Sequence, residues 1–483
     1  MSYTDRIPPA DLAGYKVIKD WENYYENFLQ AFEKHNPHDD ISNAKLTVEN
    51  KIFESDVFFT GEFKPHIKFL NCYFQGDIKF YKCQVQNDLS INHSLCDGEL
   101  FVFGTSEFTD EFNLINLILG RQIYVEGGTF HKCRWNFLEN ATVKIAGGDF
   151  DELNIGYWGG AKLRELTLHN LKTSGYIKIS GENTDIEHLS IFQSSKDLEI
   201  SIEDINVNVL SVYRYRNEDG FRLINIKPLP GPQPSEISIA ESYMGKAEFY
   251  SLDLTSFESV TFYNSHLIDT TFVNIKWNYK IRALKGFGIG LNAEEQLLPG
   301  KLKQLEEDWF AKNINSEPLR EDPVVIGYFI NLRETFRQLK FALGKQGDLI
   351  NEQKFHTQEM LAYDKSLRLE DDFWTTVIIK FSYWFSDFGQ SFTRPLIALL
   401  VGHFALLMVL ISFNGIDGLH ISFIDADSDG FRIAIDKYLF LINPLRKLDD
   451  SFSGYTIIID VLMRIWSSYM VYNLIRATRR FIK

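Results

Sequence analysis

Residues 67–92 read IKFLNCYFQGDIKFYKCQVQNDLSIN. Apolar-x-apolar units begin at Ile67, Ile78 and Leu89, eleven residues apart. Two alternating apolar residues make one short strand that turns both side chains to the same face. The Asn, Gly and Asp residues between the units supply corners. Working outward, "LFV" at 100, "FNL" at 112 and "IYV" at 123 keep the step at 11, 12 and 11 residues. The series loosens but persists through "VKI" at 143, "LNI" at 153, "LTL" at 166, "IKI" at 177, "LSI" at 189, "LEI" at 198 and "LSV" at 210. After "KPLPGPQP" it resumes with "ISI" at 237, "AEF" at 247, "VTF" at 260 and "TTF" at 270. A step this regular is a repeat signature, and two steps make a coil of about 22 residues, a reasonable size for a parallel β-helix. A large β-sandwich has similar strand spacing but does not demand such even steps. The expectation is a parallel β-helix, or solenoid, over 46–280.

Residues 1–45 form an N-terminal helical cap in this reading, because Ile18, Trp21, Tyr25, Phe28 and Phe32 share one helix face. Residues 281–370 read as a helical linker and an αα-hairpin. The linker carries the stripe Leu298, Leu302, Leu305 and Trp309, and Gly286, Gly288 and Gly290 read as a loop. The first hairpin helix turns Val325, Tyr328, Leu332, Phe336, Leu339 and Leu343 inward. Gly344 and Gly347 break it, and Asp348 caps the second helix.

The last segment, 371–483, reads as a membrane unit. "RPLIALLVGHFALLMVLISF", 394–413, is twenty residues, about 30 Å of helix, with His403 its one strongly polar side chain after Arg394. An aromatic stretch over 371–386 suits a helix lying at the interface. A second span is expected over 455–475, and the loop 414–454 faces outward. Arg394 suits a headgroup boundary. The basic tail 476–483 carries Arg476, Arg479, Arg480 and Lys483 and belongs on the cytosolic side. Two spans then put the solenoid in the cytosol as well.

Several functions are disfavoured. The net charge is −15, without a basic cluster before the C-terminus, so nucleic acid is not an expected partner. The four cysteines lie in the first third, without CxxC spacing. The N-terminus lacks a basic-then-apolar signal pattern, so reduced thiols are expected. No GxSxG, HExxH, P-loop or kinase set occurs, so the chain is not expected to be an enzyme. A carbohydrate-active β-helix enzyme is a remote alternative.

"FLNCYFQGDIKFYKCQV" resembles pentapeptide-repeat and related β-helix proteins in architecture, though the strict five-residue register is absent. "FRQLKFALGKQGDLINEQKFHTQEM" and "FSDFGQSFTRPLIALLVGHFAL" resemble the helical pair and the entry into the first span in bacterial pentapeptide-repeat membrane proteins. The matching stretch is about 331–405 plus the basic tail. The resemblance implies a multi-pass inner-membrane protein with a two-span unit like that of ion channels, a homo-oligomer in which "GFRIAIDKYLFLINPL" is the pore segment.

Polar residues inside the spans mark the candidate site. Asp460 and Arg464 lie four apart, with Ser467 on the same face, where the charges can pair beside His403. Asp425, Asp427, Asp429 and Asp436 stand at positions 1, 3, 5 and 12 of a calcium-loop spacing, with Gly430 at position 6. The competing reading is an Asp-rich turn, so calcium is the one cofactor the sequence offers. The leading expectation is a tether: a cytosolic sensing or scaffolding β-helix that binds a protein partner and is coupled to the bilayer. The alternative is an oligomeric channel or pore gated by that β-helix.

Overall fold

The computed structural model describes residues 14–36, 38–156, 160–171, 175–193, 198–216, 220–281, 323–367, 373–413, 428–447 and 454–479. The Gly286–Gly290 loop and the Leu298–Trp309 stripe lie outside the described residues. Two compact units are present: Met1–Asn315 with Phe341–Gln346, and Ser316–Lys340 with Gly347–Lys483.

The first unit is a parallel β-solenoid. On one long face the register runs Leu46, Ile67, Leu89, Phe112, Cys133, Leu153, Ile177, Ile200 and Phe221, so successive coils take 20–24 residues. On the other it runs Val57, Ile78, Leu100, Ile123, Val143, Leu166, Leu189, Leu210, Ile237 and Val260. Two eleven-residue steps therefore close one coil, one unit on each face. The step from Leu210 to Ile237 is longer because it holds the Pro-rich stretch. These pairings are parallel throughout, which excludes the hairpin-built sandwich.

Corners recur where the backbone turns left-handed. Asn50, Asn71, His93 and Asn116 hold φ of 53, 52, 49 and 53°. Asn tolerates this region better than most side chains. The N–H groups of Asn50, Asn71 and His93 donate across to Leu70, Asn92 and Ile115 carbonyls at 3.1, 3.1 and 2.8 Å. The corner thus continues the strand ladder instead of leaving a buried donor unpaired.

The core is a stack of like residues. Phe59 lies on Phe80, Phe108 on Phe130 and Phe130 on Phe150, with centroids 4.5, 4.9 and 4.5 Å apart. A short third face, absent from the eleven-residue reading, joins Lys16–Ile18, Lys51–Phe53, Tyr73–Phe74, Leu95–Cys96 and Ile118–Leu119. The N-terminal cap accordingly begins with a strand. Helix α1 (Trp21–His35) follows, with the Asp20 side chain accepting from Asn23 N–H. Trp21 closes the end of the stack against Phe53, Phe59 and Phe69 at 6.1, 5.4 and 5.2 Å. At the other end, Phe272 N–H donates to Gln346 Oε1 (2.9 Å) and Gln346 Nε2 donates to Thr270 O (2.8 Å). One amide side chain stands in for a further strand and blunts the edge.

The αα-hairpin comprises α2 (Pro323–Gln346) and α3 (Leu349–Ser366), and Asp348 caps α3 through Asn351 N–H at 3.1 Å. Tyr328, Leu332, Phe336, Leu339 and Leu343 are buried as the stripe predicts. The side chain of Val325 lies outside the described residues. Helices α4 (Phe373–Ser386), α5 (Thr393–Ser412), α6 (Ser428–Ile442) and α7 (Tyr455–Arg479) complete the second unit. Among the described residues one helix, α5, is long and apolar enough to cross a membrane. The segment expected to be the second span is helical but falls short of that criterion.

Candidate functional site: a buried charge cluster among the C-terminal helices

Helices α5 and α7 run antiparallel. The Phe413 and Tyr455 rings meet at 6.5 Å, and further along Trp466 Nε1 donates to Ala398 O at 3.1 Å. Gly402 permits this approach, since a Cβ there would lie 2.5 Å from the Trp466 ring. Helix α6 lies against both, sharing a core of Leu407, Leu410, Ile411, Leu441, Ile459 and Met463. Ala434 packs against that core, Tyr438 OH donates to Leu400 O (2.8 Å), and Leu441 O bonds His403 Nε2 (2.9 Å).

His403 is the eleventh of the twenty residues of α5, so the last turn of α6 ends at mid-height of that helix. A carbonyl only accepts, so the His403 Nε2 carries a proton. The Leu441 carbonyl also accepts from Arg446 Nη1. Arg446 Nη1 donates to Asn443 O as well (3.1 Å), and its Nη2 donates to Asp460 Oδ1. The second oxygen of Asp460 accepts from Arg464 Nε at 2.7 Å. Arg464 Nη1 returns to Arg446 O at 2.9 Å. The network therefore ties the irregular stretch after α6 to α7. Two guanidinium groups share one carboxylate whose side chain is 0% exposed. Neutralising a buried carboxylate this way offsets its desolvation, and what remains is one excess positive charge. His403 Nδ1, Arg464 Nη2 and Ser467 Oγ are buried without a protein partner.

The structure thus joins Asp460 and Arg464 at the predicted spacing and brings His403 into the same network through Leu441. Ser467 is buried but bonds to none of them. Sequence reasoning missed Arg446. Its signal was an arginine two residues after an Asn-Pro pair at the end of an apolar run, in a segment read as an outward loop. Asp425 and Asp427 lie outside the described residues. Asp429 and Asp436 stand on α6, with Asp436 exposed and Gly430 helical. Among the described residues no group of three or more His, Cys, Asp or Glu could hold a metal ion.

Of the basic residues, Arg394 donates to Tyr383 O at 3.2 Å and Arg476 lies against Gly389. Arg479 ends α7 with its side chain outside the described residues, as are Arg480 and Lys483. The solenoid carries a separate open groove of about 560 Å³, lined by Asn170, Gln193, Arg214, Arg216, Glu241 and Asn264. Five of these are residues at one left-handed corner of successive coils, and Arg214 pairs with Glu241 at 2.9 Å.

Compared with known proteins, the chain matches no protein family, no curated protein and no solved structure.

Proposed function

We propose that the helical unit is a two-span membrane unit that assembles with copies of itself around an axis as a pore, with the solenoid as its cytosolic body. The observation that carries this is the position of residues 443–447. They are not helical, they follow a helix that ends at mid-height of α5, and Leu445 is 90% exposed. Irregular backbone at membrane depth is tolerated only inside protein or beside water. In a lone copy this turn would meet lipid; around an axis it meets its own copies and a water-filled path.

The outward faces of the helices fit the same setting. Ile397, Val401 and Phe404 on α5 are exposed, as are Ile458, Leu462, Ile465 and Ile475 on α7. Apolar surface of this extent marks a membrane or an interface. The charged residues in the middle of α7, Asp460 and Arg464, turn into the charge cluster and bond within it. As the second span, α7 brings the chain back to the side on which α5 began.

A second reading keeps the spans as a tether for a sensing body. The polar groove on the solenoid corner favours a ligand or partner there. Oligomeric mass separates the two. The full chain, purified in detergent, is weighed by native mass spectrometry and then reconstituted in planar bilayers. The pore reading expects a defined homo-oligomer and unitary conductance. A monomer without conductance overturns it and leaves the tether.

A further inference from the structure

The turn that leads into α5 combines two features that the spans themselves do not require. Asp387, Phe388 and Gly389 are three consecutive left-handed residues, with φ of 50, 53 and 85°. They bring the end of α4 back toward both long helices. Arg394 is fixed by residues before and within the turn. Its Nη1 donates to Tyr383 O (3.2 Å), its guanidinium lies 5.6 Å from the Tyr383 ring centroid, and its N–H donates to Ser391 Oγ (3.2 Å). Arg476 packs on the same turn, so closely on Gly389 that a Cβ there would sit 2.8 Å from Arg476 Cδ.

Neither guanidinium pairs with a carboxylate among the described residues. Asp387 is the single acidic residue between 373 and 413, and none occurs from 461 to 483. Asp387 lies in the same turn without bonding either arginine. Aromatic side chains close to the turn in sequence or one helical turn from Arg476, Trp384 and Tyr472, stand exposed, as they do where a protein meets headgroups. Below it run the apolar outer faces of α5 and α7, among them Ile397, Val401 and Ile475.

From this placement we propose that Arg394 and Arg476 form a seat for the phosphate of one anionic phospholipid. Its headgroup lies on the 387–394 turn and its chains run along α5 and α7. The proposal rests on the membrane reading above and adds the ligand class. Two cations held by ring, carbonyl and glycine contacts are already ordered. They lose little freedom on taking up a phosphate, and Arg presents the forked donors that suit it. A topology anchor needs only the charges; here both arginines also pack on the same turn.

The experiment is native mass spectrometry of the full chain in detergent with added phosphatidylglycerol or phosphatidylcholine, counting lipids retained per subunit. The seat predicts one strongly retained phosphatidylglycerol, with its preference falling about fivefold for each arginine neutralised, in Arg394→Gln and Arg476→Gln. Arg394→Lys with Arg476→Lys keeps the charge and should keep part of the preference. Neutralising Arg480 and Lys483 should leave it intact. Equal retention of both lipids by the parent overturns the proposal even if no variant folds. So does an equal loss on neutralising the tail, which means diffuse attraction to basic residues. Lipid retention is read whether or not the protein conducts, so this result and the test of the pore fail separately.

Discussion

Arg446 is the residue on which the mid-height turn depends, and its replacement by Gln gives the sharpest energetic test. Its side chain is 2% exposed and donates to Asp460, to the Leu441 carbonyl and to Asn443 O at 3.1 Å. In Arg446→Gln, Asp460 keeps only Arg464, and two carbonyls lose a charged donor. Breaking a buried pair by removing one partner costs about 3–5 kcal/mol. At about 2–4 °C per kcal/mol for a unit of this size, the apparent Tm of the helical unit should fall by about 6–20 °C. The assay is thermal denaturation of the detergent-solubilised full chain, followed by tryptophan fluorescence. Adding Asp460→Asn removes the stranded carboxylate, so the double variant should recover part of the loss, with a coupling of about 0.5–3 kcal/mol. An Arg446→Gln variant within about 2 °C of the parent, less than 1 kcal/mol on the same scale, would refute the idea that this network holds the turn.

Trp21 closes the solenoid on three Phe rings, so Trp21→Ala should cost about 3–5 kcal/mol, read as earlier unfolding in urea by far-UV circular dichroism; an unchanged midpoint contradicts the cap. The thiols of Cys72, Cys83, Cys96 and Cys133 are buried and unpaired. Burial pushes Cys72 up to about 11 and Cys96 up to about 12. They should resist a thiol-specific chromophore at pH 8 until denaturant is added, and fast labelling of the native protein would contradict the packing. Raised thiols favour the neutral form in the folded state. Their contribution to stability is full below the ordinary thiol value and is lost as pH climbs toward 11–12, so alkaline titration should destabilise the solenoid across that window.

The solenoid was legible because each strand needs just two alternating apolar residues, and the corners between them need Asn, Gly or Asp. Ile67, Ile78 and Leu89 carry that pattern on the page. The third face was not legible, since Tyr73–Phe74 and Leu95–Cys96 are two-residue strands too short for any period. The pairing of Asp460 with Arg464 followed from helical spacing. Arg446 did not, because its main partners lie on α6 and α7 and are set by tertiary packing. The Asp spacing at 425–436 offered either a calcium loop or an Asp-rich turn, while Ala434, Tyr438 and Leu441 stand at helical intervals across and beyond its end. From Ser428 the chain is helical, and its apolar face has a core to bury itself in.

The most direct test of the pore is the environment of residue 445. Because the four native thiols are buried, Leu445→Cys supplies one exposed thiol in the protein as it stands in proteoliposomes. The account predicts rapid modification by a charged, water-soluble methanethiosulfonate, with a change in conductance on reaction. Labelling by a lipid-soluble maleimide alone, with the charged reagent excluded and the current unaltered, would place Leu445 in lipid and contradict the pore.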